Sequence, residues 1–190
     1  MKTIQARLQE MTNKLNSENF QKSLGLGNEV DFHIFDYDPQ DEYTVRDYIY
    51  NYLIPKTNLK IKVFDLYDLI IEILEEQHIL DAIFKTEKRK GTKYVNEQIS
   101  SAIGIGTSRN YLSKKIKDKT EPGDIAILTG IDKCYGIVRG HTILNNLQGV
   151  ITNNQLIMMY PGSYDKQSFR LFNKLPNDDY YRGFQLVDRK

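Results

Sequence analysis

Two carboxylates one residue apart, Asp36 and Asp38, close a β-prone run, Val30-Asp31-Phe32-His33-Ile34-Phe35. A pair of Asp at the exit of a strand can hold Mg²⁺, one serving as nucleophile and the other as acid/base in phosphoryl transfer. That chemistry also needs a nearby Lys and a further Asp. The Gly-Thr that commonly follows the second Asp in such sites is replaced here by Pro39-Gln40. Asp38-Pro39 also reads as a helix start, with Asp capping free N–H groups and Pro at the first helical position. The structural reading of the pair therefore stands beside the chemical one.

Three more clusters carry usable chemistry. Arg139-Gly140-His141 opens a helix-like stretch, where Arg could grip a phosphate or carboxylate and where His141 shares a stripe with Ile137 and Leu144. Tyr160-Pro161-Gly162-Ser163-Tyr164 reads as a strand end turned by Pro-Gly, with a nest of backbone N–H groups as the functional alternative. Tyr180-Tyr181-Arg182 combines aromatic and cationic groups in the manner of an interface patch. Against these stand clear absences. The sequence contains neither G-x-x-x-x-G-K-[ST] nor G-x-S-x-G, so a phosphate-binding loop and a hydrolase nucleophile are not expected. Gly104-Ile105-Gly106-Thr107-Ser108 follows a helix-like stretch rather than a strand, and reads as a helix break or, less directly, an anion contact. His33, His78 and His141 are too scattered for metal-ligand spacing, and Cys134 is the lone cysteine. No constellation closes into a catalytic site. The expectation is a non-enzymatic chain with no cofactor and no metal.

Charge is unevenly distributed. Residues 36–81 carry eleven acidic and four basic side chains, and residues 85–119 carry ten basic and three acidic ones, although the whole chain is only +1. Lys88, Arg89, Lys90, Lys93, Arg109, Lys114, Lys115 and Lys117 are therefore candidate contacts to a nucleic-acid backbone. The alternative is that the acidic and basic halves face each other.

These residues must be positioned by a fold that 190 residues can build as one domain. Ile4, Leu8, Met11 and Leu15 predict an N-terminal helix, broken at Gly25 and Gly27. Val45, Tyr48, Ile49, Tyr52 and Leu53 give the helix after Asp38 an apolar face, ended by Pro55. Leu59–Phe64 alternates as a strand, and Asp65 caps a helix striped by Leu66, Leu69, Ile70, Ile73 and Leu74. A basic helical insertion spans 79–119. Ile125–Leu128 and Leu156–Tyr160 are unbroken apolar strands separated by a helix from about Ile137 to Leu147, and Phe169–Phe172 and Tyr181–Val187 are β-like. Strands alternating with helices predict a three-layer α/β/α sandwich with a mainly parallel sheet, Rossmann-like but without the phosphate loop. Ligands of such sheets bind beyond the carboxyl ends of the strands, here Asp36–Asp38, Asp65, Thr129–Gly130 and Tyr160–Tyr164. No secretory leader or membrane span is expected, and the single cysteine fits a cytoplasmic chain.

The order of several motifs resembles the BrxB family. They are Leu24-Gly25-Leu26-Gly27-Asn28-Glu29-Val30 with Ile34–Pro39, Leu128-Thr129-Gly130 with Arg139-Gly140-His141 and Leu144–Leu147, and Tyr160–Tyr164 with Leu171-Phe172 and Tyr180-Tyr181-Arg182-Gly183-Phe184. Gly140 stands where that family tends to have Ser, and Gly183 where it tends to have Ala. The stretch from Lys85 to Lys119 carries the least resemblance. The resemblance implies a role in BREX-type bacteriophage exclusion, beside a DNA methyltransferase, an ATPase and an alkaline-phosphatase-like protein that supply the chemistry. It implies a small subunit that binds or bridges them, with the alkaline-phosphatase-like component as the preferred partner. It brings no established catalytic residues.

Overall fold

The computed structural model describes residues 2–23, 32–147, 150–151, 154–175 and 183–190. Gly25, Gly27 and the run from Tyr180 to Arg182 lie outside them. Helix α1 spans Ile4–Leu15 and is capped by Thr3, whose hydroxyl accepts from the Ala6 N–H. A short helix, α2, spans Glu18–Ser23. Strand β1 (Phe32–Tyr37) leads through a 3₁₀ turn at Pro39–Asp41 into α3 (Glu42–Tyr48), a π turn (Ile49–Leu53) and α4 (Ile54–Lys56). Strand β2 (Ile61–Asp65) leads directly into α5 (Leu66–Glu76), followed by α6 (Leu80–Lys90), α7 (Thr92–Ala102) and α8 (Tyr111–Asp118). Strand β3 (Ile125–Thr129), α9 (Gly140–Leu147), β4 (Gln155–Tyr164), β5 (Phe169–Leu171) and β6 (Phe184–Gln185) complete the order.

The strands run in the order β2-β3-β4-β1-β6, all parallel, with β5 antiparallel on β4. Alternation along each strand explains the layers. Phe35, Tyr37, Ile125, Ile127, Ile157 and Met159 face one side, where they pack with Leu8, Met11 and Leu15 of α1 and with Val45, Ile49 and Leu53. Ile34, Phe64, Ala126, Leu128, Leu156 and Met158 face the other, under α5, α7, α8 and α9. A sheet covered on both faces needs apolar residues at every position, which is why β3 and the first part of β4 read as unbroken runs. The expected three-layer α/β sandwich is the observed one. Among the described residues, no helix is long and apolar enough to cross a membrane.

Four local expectations are corrected. Asp38 makes no side-chain capping bond at the 3₁₀ turn. Its carboxylate is held by Arg189 and Asn173 instead. Pro55 does not end its helix, which reaches Lys56. The Ile54 N–H donates to the Ile49 carbonyl, a π register that shifts the bond pattern just before the proline. The helix near Ile137 begins only at Gly140, after a series of turns. Finally, β4 runs through Pro161-Gly162 to Tyr164. Pro161 falls between the end of the β3 ladder at Met158 and the start of the β5 ladder at Gly162, where a missing N–H is least disruptive.

The glycines near 104 behave as a helix stop. Gly104 has φ 74°, its N–H donates to Ser101, and the Ile105 N–H reaches back to Ser100. This is a Schellman motif closing α7. Its carbonyl-rich polarity is the wrong sign for an anion site.

Gly162 is where β4 tolerates no side chain. A Cβ there would sit 2.3 Å from the Arg170 carbonyl oxygen and 2.9 Å from the Tyr160 ring. Gly162→Ala is expected to destabilise the protein by about 1–3 kcal/mol, because backbone must move to admit the methyl. Urea unfolding of the variant checks this, and an unchanged midpoint contradicts it.

Candidate functional site

The carboxyl ends of β1, β2, β3 and β4 define one edge of the sheet, and two carboxylates organise it. The first is Asp36, 1% exposed at the end of β1. One of its oxygens accepts from Arg7 Nη2 at 3.2 Å and the other from Arg189 Nε at 2.7 Å. The Tyr164 N–H of β4 and the Gln185 amide complete its partners, at 3.3 and 3.4 Å. Arg7 also donates to the Asp36 carbonyl at 2.6 Å and to the Val187 carbonyl at 3.1 Å, and lies over the Phe35 ring. Burial pulls the Arg7 guanidinium below its ordinary pKa, while Asp36 pulls it back up. Arg189 continues to Asp38, at 3.2 Å, and to the Gly162 carbonyl. One carboxylate thus joins α1, β1, the β4–β5 hairpin and the C-terminal tail.

The second is Asp65 at the end of β2. One oxygen caps α5, accepting from the Tyr67 and Asp68 N–H groups at 3.1 and 3.4 Å. The other accepts from Lys133 at 2.6 Å and faces Arg46 at 3.7 Å. Gly130, with φ +73°, makes room: a Cβ there would come within 2.5 Å of that carboxylate. A helix N-terminus flanked by two cations is where this architecture would hold an anion. Here Asp65 itself fills that place.

Tyrosines are exposed on α3, the π turn and the start of α5. Tyr43, Tyr50 and Tyr67 are 82, 44 and 38% exposed. Tyr43, Arg46 and Tyr50 are spaced at helical intervals and line an open groove of about 700 Å³ over α3 and the π turn. Tyr50 also borders a second groove, about 540 Å³, along the outer edge of β2 with Lys62, Asp65 and Asp68. Beneath, the Tyr37 hydroxyl donates to Glu42, and burial raises the pKa of both groups. Burial also pushes the Cys134 thiol up to about 12, which leaves it inert.

Of the residues singled out in the sequence, Asp36, Asp38, Gly162 and Tyr164 meet around Arg189. Their bonds serve the fold. For Mg²⁺ to bind Asp36 it would have to displace two guanidinium groups, and among the described residues no group of three or more His, Cys, Asp or Glu is placed to hold a metal. Tyr160 is buried against Phe169, and Tyr164 stacks on the same ring while its hydroxyl bridges the Gly183 N–H and carbonyl. Ser163 pairs with Arg170 in the hairpin ladder. Gly140 packs on the Tyr160 ring, Arg139 lies over Tyr135, and His141 bonds the Thr142 hydroxyl. The basic candidates divide. Lys115 is held by Glu72 and Glu76, at 3.1 and 2.6 Å, and Lys119 by Glu72. Lys88, Arg89, Lys90, Lys93, Arg109, Lys114 and Lys117 are exposed. Sequence reasoning missed Arg7, Arg189, Arg46 and Lys133. Only the Tyr43, Arg46, Tyr50 spacing opposite an apolar helix face carried a signal for any of them.

Asp36→Asn is expected to lower unfolding free energy by about 3–5 kcal/mol, since it leaves the buried Arg7 without its counter-charge. Chemical denaturation measures this directly, and a loss within experimental error would remove Asp36 as the organising group.

The sequence model of the family described as "BREX protein BrxB" matches residues 62–186, from β2 into the C-terminal tail. A BREX protein BrxB of Bacillus cereus (strain H3081.97) is 39% identical over 192 residues, covering 100% of both chains. A BREX protein BrxB of Escherichia coli O9:H4 (strain HS) is 30% identical over 186 residues, covering 97% of this chain and 92% of the relative. The similarity at Leu24–Pro39 falls outside the family match but inside the span of both relatives. No solved structure matches the chain.

Proposed function

This chain belongs to the BrxB family, and from that premise we propose that it is a non-catalytic binding subunit of a BREX phage-exclusion system. Its work is to hold other defence proteins, first among them the alkaline-phosphatase-like component. One observation carries the reading. At the sheet edge where α/β enzymes keep their reactive groups, Asp36 and Asp65 are both neutralised from within the chain, and the neighbouring open groove presents Tyr43, Arg46 and Tyr50 beside Glu42 and Asp47. Tyr and Arg are the residue types that dominate binding energy at protein interfaces. A divergent Mg²⁺-dependent phosphoryl-transfer activity at Asp36 is the less favoured alternative, because its oxygens are already engaged.

Co-expression with the neighbouring defence proteins, followed by nuclease-treated pull-down at near-physiological salt, tests the reading. A nuclease-resistant complex with the alkaline-phosphatase-like component is expected. Combined Tyr43→Ala and Tyr50→Ala should weaken it by about 2 kcal/mol or more, with the thermal melt unchanged. Failure to co-purify with any BREX protein contradicts the proposal.

A second reading, nucleic-acid binding, draws on Lys85, Lys88, Arg89, Lys90 and Lys93, all exposed. It predicts duplex affinity that falls steeply with salt, and that Lys88→Glu with Lys93→Glu abolishes. Affinity indifferent to those changes removes it.

A further inference from the structure

Helix α6 holds its place without burying a single residue completely. Leu80 and Ile83 are half-buried, and Phe84 is 51% exposed. These three form one wall of a cleft of about 270 Å³, with Ile71 of α5, Val95 of α7 and Ile137 of the β3–α9 connection among the others. Asn96, Gly136, Glu87 and Lys133 also line it, and the Glu87 carboxylate is engaged by the Thr92 hydroxyl. Beside the cleft, the α6–α7 corner carries Lys88, Arg89, Lys90 and Lys93. Lys90 rests on the Tyr94 ring. None of these four cations has an ion-pair partner among the described residues, whereas Lys115 of α8 and Lys119 just beyond it are clasped by Glu72 and Glu76 of α5.

We infer that this cleft docks an acidic amphipathic helix of a partner protein, its apolar anchors against Phe84 and Ile83 and its carboxylates on the Lys88–Lys93 corner. The chemistry selects that occupant. The cleft is smaller than the ~300–1,000 Å³ typical of small-molecule sites. A second copy meeting this face symmetrically would bring one cationic corner against another, which like-charge repulsion opposes. A phosphate backbone would satisfy the cations but leave the apolar wall in water. Three helices bound the cleft, and an amphipathic helix laid in such a groove buries anchors at helical spacing. The inference rests on the binding-subunit reading only for which protein supplies the helix.

Fluorescence anisotropy with the full chain tests it. The probe is a fluorescein-labelled peptide with Leu at i, i+3, i+4 and i+7 and Glu on its flanks. Its twin carries Lys for Glu, and unlabelled duplex DNA is the competitor. The acidic peptide is expected to bind saturably, about tenfold or more tighter than the twin. Phe84→Ser should weaken it about tenfold, and Lys88→Glu with Lys93→Glu should remove its salt dependence. Both variants alter exposed positions and should keep the wild-type thermal melt. Absence of saturable binding, equal binding of the twin, or indifference to Phe84→Ser overturns the inference. So does displacement by duplex DNA that Phe84→Ser leaves unchanged. Absence of saturable peptide binding by the unmutated chain, when that chain still co-purifies with BREX proteins through Tyr43 and Tyr50, overturns the cleft alone.

Discussion

A buried carboxylate between two guanidinium groups is the constraint on which the rest of this molecule depends. An ionised Asp with 1% exposure is costly unless its charge and its lone pairs are met. Asp36 meets them by drawing Arg7 from the first helix and Arg189 from the last few residues to the end of a central strand. Arg7 spreads its remaining donors over the Asp36 and Val187 carbonyls. Arg189 reaches Asp38 and Gly162. The two ends of the chain are thereby fixed to one another through the sheet, and the β4–β5 hairpin is fixed to both. This arrangement engages both Asp36 oxygens at the β1 exit.

The same logic recurs one layer out. Asp65 caps its own helix and pairs with Lys133, so the helix N-terminus that could receive an anion is occupied by the chain's own carboxylate. The two halves of opposite charge seen in the sequence meet in part, through Glu72 and Glu76 with Lys115 and Lys119. These surface pairs are worth little individually, but they remove Lys115 from the cations available to a partner. The outward-facing groups among the described residues include an aromatic stripe on α3 and the π turn, and a cationic corner on α6 and α7. Both carry residue types that dominate binding energy at protein interfaces, and they belong to elements on opposite faces of the sheet.

Much of the fold was legible because its signals are local. The unbroken apolar runs of β3 and β4, the Asp65 cap and the Gly104 stop each depend on neighbouring residues, and each was readable from spacing. The candidate site was less legible because its bonds are not local. Nothing near Asp36 in sequence announces Arg7 or Arg189, and Asp38 followed by Pro looks like a cap whether or not its oxygen is engaged elsewhere. Pro161-Gly162 reads as a turn by composition. It lies in a strand because the β3 ladder has ended and Arg170 and Tyr160 close around Gly162. The tyrosines at 43 and 50 were hidden by number, since thirteen tyrosines make any one of them uninformative until exposure separates them.

Hydroxyl-radical footprinting tests the central claim most directly, comparing the chain alone with the chain bound to the co-expressed alkaline-phosphatase-like BREX component. The account predicts that oxidation of Tyr43 and Tyr50 falls several-fold in the complex while buried Tyr160 and Tyr164 stay unreactive in both states. A stable complex in which Tyr43 and Tyr50 remain as reactive as in the free chain would contradict it.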